Sequence, residues 1–207
     1  MSSRDPIKTL PPTYQQVHLL SVGKLNVLIW LNIMSLFPLA ISSLLIFGSL
    51  LIYHTELNGP LVIQALPDHI PSGVGLAIVL LVLPLHEWIH GLSIAHYGHK
   101  PRYGVKWMVL FATSDNALFR RNEFIHIALA PLAVITAGGL LVLAVAPLGI
   151  AEWIALAISI NAAGAIGDIW MTAVALRYDR SALIRDEEDS MRIFAPQSSS
   201  SSVSSLT

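Results

Sequence analysis

One apolar run, residues 73–95, constrains this chain more than any other feature, because three ionisable side chains lie inside it. His86, Glu87 and His90 form the pattern H-E-x-x-H within a segment that is long enough to cross a bilayer as one helix. Ionisable groups are costly at that depth, so they indicate by default a functional site that faces the protein interior. The run therefore predicts a membrane helix with one polar, functional face.

The spacing of this motif indicates a metal site. Residues four apart lie on one face of a helix, so His86 and His90 can direct two imidazoles at the same ion. Glu87 is rotated by about 100° from His86, which places it beside the ion as a base. Two His ligands and a Glu that takes a proton from metal-bound water are typical of zinc hydrolases. The alternative is that the three residues occur together by chance and are buried polar groups hydrogen-bonded within the protein. This is less favoured, because ionisable residues are costly inside an apolar helix.

The composition is that of a membrane protein. Hydrophobic residues make up 54% of the 207 positions and charged residues only 12%, against about 25% charged in a soluble domain. The net charge of −1 gives no reason to expect a nucleic-acid partner. Because the chain contains no Cys, thiolate ligands and cysteine nucleophiles are excluded. The lipid bilayer is the predicted surrounding of this protein.

Four apolar runs predict an all-α membrane fold with four transmembrane helices, at about 27–53, 73–95, 125–148 and 150–176. A polar cytoplasmic lead-in, 1–26, precedes them, and its residues 14–22 favour either a short interfacial helix or a flexible tail. A charged segment, 177–196, and a serine-rich tail, 197–207, follow the helices, and the tail is predicted to be disordered.

The connections between the runs predict a topology. All 12 Lys and Arg fall in the lead-in, in the loop after the second run or in the segment after the fourth. Since Lys and Arg favour cytoplasmic loops, both termini are predicted to be cytoplasmic. Within the loop after the second run, residues 103–119 have strand-like composition with a turn signal at 114–116. They predict either a short β-hairpin at the cytoplasmic surface or a loose amphipathic loop.

A third metal ligand is expected in the fourth run. A catalytic zinc ion takes three protein ligands and keeps one position open. Asp168 is the only acidic residue well inside that run, and it lies roughly 20–25 Å from the outer end, at about the depth of His86 and His90. Asn161, seven residues earlier, shares its helix face and is placed to bond the substrate or a developing oxyanion. The alternative for Asp168 is a carboxylate paired with a buried His without a metal.

His96 is the alternative third ligand. His86, His90 and His96 have the spacing of soluble zinc proteases, H-E-x-x-H-x-x-G-x-x-H, except that Ser93 replaces the glycine. In an unbroken helix, His96 would lie about 80° off the face of His86 and about 9 Å beyond His90. We therefore favour Asp168 over His96.

Together these motifs resemble a known class of enzymes. A membrane-embedded H-E-x-x-H followed by a later Asn…Gly-Asp helix is similar to the site-2 protease class of intramembrane metalloproteases. More narrowly, it resembles a family of small bacterial and archaeal membrane proteins described as zincin peptidases. The similarity covers about residues 15–196. It is carried by the segments 86–91, 129–131 and 161–168, and by the acidic stretch that leads to 192–194.

The resemblance implies a zinc metalloprotease of the prokaryotic cell membrane that cuts membrane proteins or membrane-proximal peptides. Glu87 would be its general base, Zn²⁺ its cofactor and Asn161 a substrate contact, while the strand-like stretch would hold the substrate extended by edge pairing. The alternatives are a metal-binding or metal-transporting membrane protein and a catalytically inactive scaffold. Transport is disfavoured because the first and third runs contain almost no ionisable residues.

Overall fold

The computed structural model describes residues 6–21, 23–55, 69–106, 109–187 and 190–197. Their helices and strands follow in this order: β1 (Tyr14–Ser21), α1 (Leu25–Thr55), α2 (Ser72–His96), β2 (Arg102–Lys106), β3 (Val109–Thr113), β4 (Phe119–Arg120), α3 (Arg121–Leu143), α4 (Leu148–Gly164), α5 (Ile166–Ala175), β5 (Leu183–Glu187) and β6 (Ser190–Pro196). The predicted disordered tail lies outside the described residues except for Gln197.

The fold is mostly helical, and several helices are suited to a membrane. By length and composition, α1, α2 and α3 could each cross a bilayer, and α4 with α5 makes a fourth such segment if the 40° bend between them lies within one span. Large apolar side chains point outward, for example Leu44 at 76% and Leu141 at 75% exposure. Such surfaces are expected where a protein meets lipid. Three to four candidate spans are consistent with a multi-pass membrane protein.

Helix α4 lies at the centre of the bundle, because it packs against α1, α2 and α3. Its small side chains permit close approach: Ala151 and Ala155 are fully buried near Leu50 of α1, and Ala157 packs with Val79 of α2. Small residues at helix contacts are the usual means of association in membranes. The central position agrees with the mostly apolar sequence of α4.

The predicted helical fold is confirmed as mostly helical, but the all-α class is incomplete, because the described residues also form a four-stranded antiparallel sheet with the order β1-β6-β5-β4. Residues 14–22, predicted as a helix or a flexible tail, contain strand β1, which pairs with β6. The charged segment 177–196 supplies β5 and β6, which form a hairpin with each other. The partners of β1 come from the opposite end of the chain, so no local sequence pattern could indicate this pairing.

Both faces of this sheet are covered. Ile184, Met191 and Ile193 are fully buried on the inner face, against the ends of α2, α3 and α5. On the outer face, Leu183 and Phe194 pack under residues that precede β1. The inner face therefore fixes the sheet over one end of the helical bundle.

The predicted β-hairpin between the second and third helices is present as β2 and β3, but its turn was predicted in the wrong place. The turn signal at Ser114–Asn116 follows β3, and there Ala117 N–H donates to the Ser114 carbonyl at 3.2 Å. Phe119, predicted to belong to the hairpin, instead pairs with Ile184 in the four-stranded sheet.

Candidate metal centre

Three ligand atoms converge in the interior of the helical bundle. His86 and His90 on α2 are each 8% exposed, and their Nε2 atoms lie 3.1 Å apart. The Oδ2 atom of Asp168 lies 3.2 Å from Nε2 of His86 and 3.5 Å from Nε2 of His90. The structure thus brings together the three residues predicted as metal ligands, and among the described residues they form a group that could hold a metal ion.

The size of this triangle fits a four-coordinate zinc ion. Zn–N and Zn–O distances of about 2.0–2.2 Å place neighbouring ligand atoms of a regular tetrahedron about 3.3–3.6 Å apart. The observed separations are 3.1, 3.2 and 3.5 Å. Three such ligands leave the fourth position open, which is the arrangement of catalytic zinc sites.

Hydrogen bonds at the other ring nitrogen orient both imidazoles. His90 Nδ1 lies 2.9 Å from the Ile127 carbonyl oxygen, which can only accept, so Nδ1 donates and Nε2 presents its lone pair. His86 Nδ1 makes a 2.9 Å hydrogen bond to Asn161 Oδ1, which favours the same tautomer. With this arrangement, two Nε2 lone pairs and a carboxylate oxygen face one another, and a cation between them would relieve the repulsion. Metal-ligating His residues are held by such second hydrogen bonds.

A break in the fourth predicted span positions Asp168. The run 150–176 was expected to be one helix, but α4 ends at Gly164 and α5 begins at Ile166 with a 40° bend. Gly164 and Gly167 flank the break, and glycine lowers helix propensity. Asp168 consequently lies in the first turn of α5, where the helix dipole stabilises a negative charge.

Glu87 lines the same cavity and lies outside the ligand triangle. The cavity measures about 170 Å³, and Ala112 on β3 lines it together with Glu87. This position beside the three ligands is the one that the motif predicts for a base. The cavity is lined by side chains or backbone from α2, β3, α3, the α4–α5 break and β5: His86, Glu87, His90, Leu110–Thr113, Phe124, Ile127, Ala128, Gly164, Gly167, Asp168, Met171, Asp186 and Glu187.

Asn161 makes a contact that the sequence did not predict. It was expected to bond the substrate or an oxyanion, but its Oδ1 atom accepts from His86. Its side chain is buried at 1% exposure, and Nδ2 has no hydrogen-bond partner in the part of the chain that the structure describes. The seven-residue spacing to Asp168 indicated that Asn161 would face the site, but it did not reveal the partner.

The alternative third ligand, His96, lies away from this group. It is exposed in the last turn of α2 and lines a separate cleft of about 790 Å³ between α2, α3 and α4. A second cleft of about 1070 Å³ lies between α1, α3 and α4. Both clefts are larger than the metal-centre cavity, but their linings are almost wholly apolar, whereas the metal-centre cavity contains the convergent ionisable groups.

Two acidic residues from the charged segment also line the small cavity. Asp186 and Glu187 lie on β5, and the Asp186 carbonyl oxygen accepts a 3.0 Å hydrogen bond from Thr113 Oγ1 at the end of β3. Burial, together with the nearby carboxylates of Asp168 and Glu87, raises the pKa of Asp186 to about 7. The acidic run is visible in the sequence, but its place beside the metal centre depends on the sheet.

Gly91 lets the hairpin pack against α2 directly after the motif. A Cβ atom on Gly91 would lie 1.9 Å from the Tyr103 hydroxyl oxygen and 2.4 Å from Cζ of that ring. The missing side chain therefore allows β2 to approach the helix turn that contains His90.

Comparison with known proteins relates the chain to a family. A family model with the description "Putative zincin peptidase" matches residues 79–183. The matched range contains the H-E-x-x-H motif, the β2–β3 hairpin and the α4–α5 break with Asp168, and it ends at the first residue of β5. No curated protein and no solved structure matches the chain.

Proposed function

Because the chain belongs to the zincin-peptidase family, we propose that it is a membrane-embedded zinc metalloprotease that hydrolyses peptide bonds of membrane or membrane-proximal substrates. The observation that carries the proposal is the convergence of His86, His90 and Asp168, with ligand atoms 3.1–3.5 Å apart. Glu87 in the same cavity supports hydrolysis over simple metal storage. Transport would require successive ligand groups along a path, and no observation favours it.

The residues of the site have distinct roles in this proposal. A zinc ion held by His86, His90 and Asp168 would supply an activated water nucleophile and polarise the scissile carbonyl. Glu87 accepts a proton as general base and then donates it to the leaving amine. Asn161 orients the His86 imidazole, and its unpartnered Nδ2 is free to donate to the substrate carbonyl oxygen.

Strand β3 is suited to present the substrate in an extended form. Residues Leu110–Thr113 line the cavity, and among the described strands β3 pairs only with β2, so one edge of β3 is not paired with another strand. An extended peptide can add to such an edge by main-chain hydrogen bonds. A helical substrate has to unwind first, because its carbonyls are engaged in helix hydrogen bonds.

The four-stranded sheet supports four crossings with both termini on one side. Strand β1 precedes α1, β4 follows α2, and β5 and β6 follow α5, yet all four pair in one sheet. An even number of crossings between these strands accounts for this pairing, with α4 and α5 together as one broken span. The distribution of Lys and Arg assigns this side to the cytoplasm, and we place the protein in the prokaryotic cell membrane.

A cleavage assay tests the proposal. The purified protein is reconstituted with zinc in liposomes that contain a library of membrane-anchored peptides, and the products are identified by mass spectrometry. The wild type is expected to release products about 10²–10⁴ times faster than Glu87→Gln, although both retain zinc. Glu152→Gln, which changes an exposed carboxylate near the start of α4, serves as the matched control. Equal rates for wild type and Glu87→Gln would overturn the role of Glu87, and no zinc-dependent product at all would overturn the proposal.

A further inference from the structure

The carboxylate of Asp186 stands where two cavities meet. It lines the metal-centre cavity, and it also lines an adjoining polar cavity of about 570 Å³. Thr113 and Glu187 are the other residues shared by both. Alternate residues of a strand share a face, so the side chain of Asp186 on β5 lies on the inner face of the sheet, next to the buried Ile184. Asp186 therefore lies between the adjoining polar cavity and the candidate catalytic residues.

Unlike Asp115 and Glu187, Asp186 forms no ion pair with a Lys or Arg in the part of the chain that the structure describes. In the polar cavity, Asp115 pairs with Arg102 at 2.9 Å, and Glu187 pairs with Arg192 at 3.1 Å. The Asp186 carboxylate forms no ion pair or hydrogen bond with any residue that the structure describes, although its backbone carbonyl is bonded. A partly buried carboxylate without a partner is stabilised by an incoming cation.

We propose that Asp186 is a specificity-determining residue that binds a Lys or Arg side chain of the substrate next to the scissile bond. This inference rests on the proposed function and names the substrate class of the same site. Membrane proteins carry an excess of Lys and Arg where their helices leave the bilayer on the cytoplasmic side. Asp186 lies on the sheet at that end of the bundle, beside the strand β3 proposed to hold the substrate. Charge complementarity therefore matches the site to a basic juxtamembrane residue.

The test uses anchored peptides that differ in one charge. Each peptide has one transmembrane helix of Leu and Ala, followed by a Gly/Ser segment with Lys, Gln or Glu at one defined position, and the set moves that position along the segment. Wild-type protein is expected to cleave the best Lys peptide with a kcat/KM on the order of tenfold above its Gln counterpart, from one partly buried ion pair. Asp186→Asn removes this preference, and Asp186→Lys shifts it to the Glu peptide. Asp115→Asn, which changes a carboxylate already paired with Arg102, keeps the Lys preference.

Three results would overturn the inference. The first is cleavage by the wild type without a charge preference. The second is an equal loss of cleavage rate on all peptides in Asp186→Asn. The third is loss of zinc from Asp186→Asn, which would assign the residue to the metal.

Binding of the same peptides to the Glu87→Gln variant separates this inference from the proposed function. A Lys preference in binding, with no cleavage by the wild type, would support the Asp186 subsite and contradict the protease. Cleavage with no preference in rate or binding would contradict the subsite alone.

Discussion

His86 Nδ1 and Asn161 Oδ1 are joined by a 2.9 Å hydrogen bond that connects the motif on α2 to the last turn of α4. The bond fixes the imidazole so that Nε2 faces Asp168 across the α4–α5 break. Two helices that are distant in sequence thus share one preorganised centre. Its geometry is set by residues that would hold the metal and by one residue that would not touch it.

The first prediction concerns Asn161. Replacement by Ala removes the acceptor for His86 Nδ1 and leaves the ring free to rotate, so zinc affinity should fall about 10–100-fold. Competition with a chelator of known affinity measures this change. Asn161→Asp retains an acceptor oxygen and should lose less, while Asn122→Ala, on the exposed first turn of α3, should bind zinc like the wild type. Unchanged affinity in Asn161→Ala would show that the hydrogen bond does not position the ligand.

The second prediction concerns the contact between Gly91 and Tyr103. A methyl group at Gly91 overlaps the outer atoms of the Tyr103 ring, so Gly91→Ala should move this ring, weaken the contact between β2 and α2, and lower proteolytic activity while zinc content is unchanged. Tyr103→Ala in the same chain removes the overlap and should restore part of the activity. Gly138→Ala is the matched control, because no atom lies within 4 Å of the added methyl. Full activity of the single Gly91→Ala variant would contradict a role of the hairpin position.

The third prediction concerns the sheet. Ile193 is fully buried on β6, one of the two inner strands of the sheet. Its truncation to Ala should lower the free energy of unfolding by about 2–5 kcal/mol through lost contacts and a cavity. Leu19→Ala on β1, where the side chain is 50% exposed, should have a much smaller effect. Thermal unfolding in detergent compares the two variants. Equal melting temperatures would mean that the sheet does not contribute to the stability of the helical bundle.

The fourth prediction concerns pH. Burial against Phe119 lowers the pKa of His99 below its ordinary value, although Glu123 opposes this shift. The unfolded chain then binds a proton at a higher pH than the folded chain, so stability is lost as pH falls through about 6.5. His99→Gln should show a smaller drop in melting temperature than the wild type between pH 7.5 and pH 5.5, which lie about one pH unit above and below the ordinary His pKa. An identical drop in both proteins would remove His99 from the pH dependence.

The candidate ligands were predictable because each is an ionisable residue in an otherwise apolar run, where the cost of burial indicates a function. His86 and His90 follow from helical periodicity alone. Asp168 was found by its charge and depth, but the assumption of a continuous helix was wrong, since the break at Ala165 sets its direction. The low helix propensity of Gly164 and Gly167 was the local sequence signal that could have indicated this break.

The sheet and Asp186 could not be predicted from local patterns. Strand β1 is hydrogen-bonded to β6, and all five helices that the structure describes lie between these two strands in the sequence. The strand-like stretch after the second run was visible, but its turn signal at residues 114–116 belongs to the connection to β4. The place of Asp186 follows from strand pairing, which is a property of the whole chain.

The metal content of the detergent-purified protein tests the central claim most directly, with wild type, Asp168→Ala and His96→Ala measured side by side. The wild type should contain about one zinc per chain, His96→Ala should keep it and Asp168→Ala should lose most of it. Absence of metal from the wild type after zinc has been added back would contradict a metal centre at His86, His90 and Asp168. Loss of zinc in His96→Ala with retention in Asp168→Ala would contradict the ligand set.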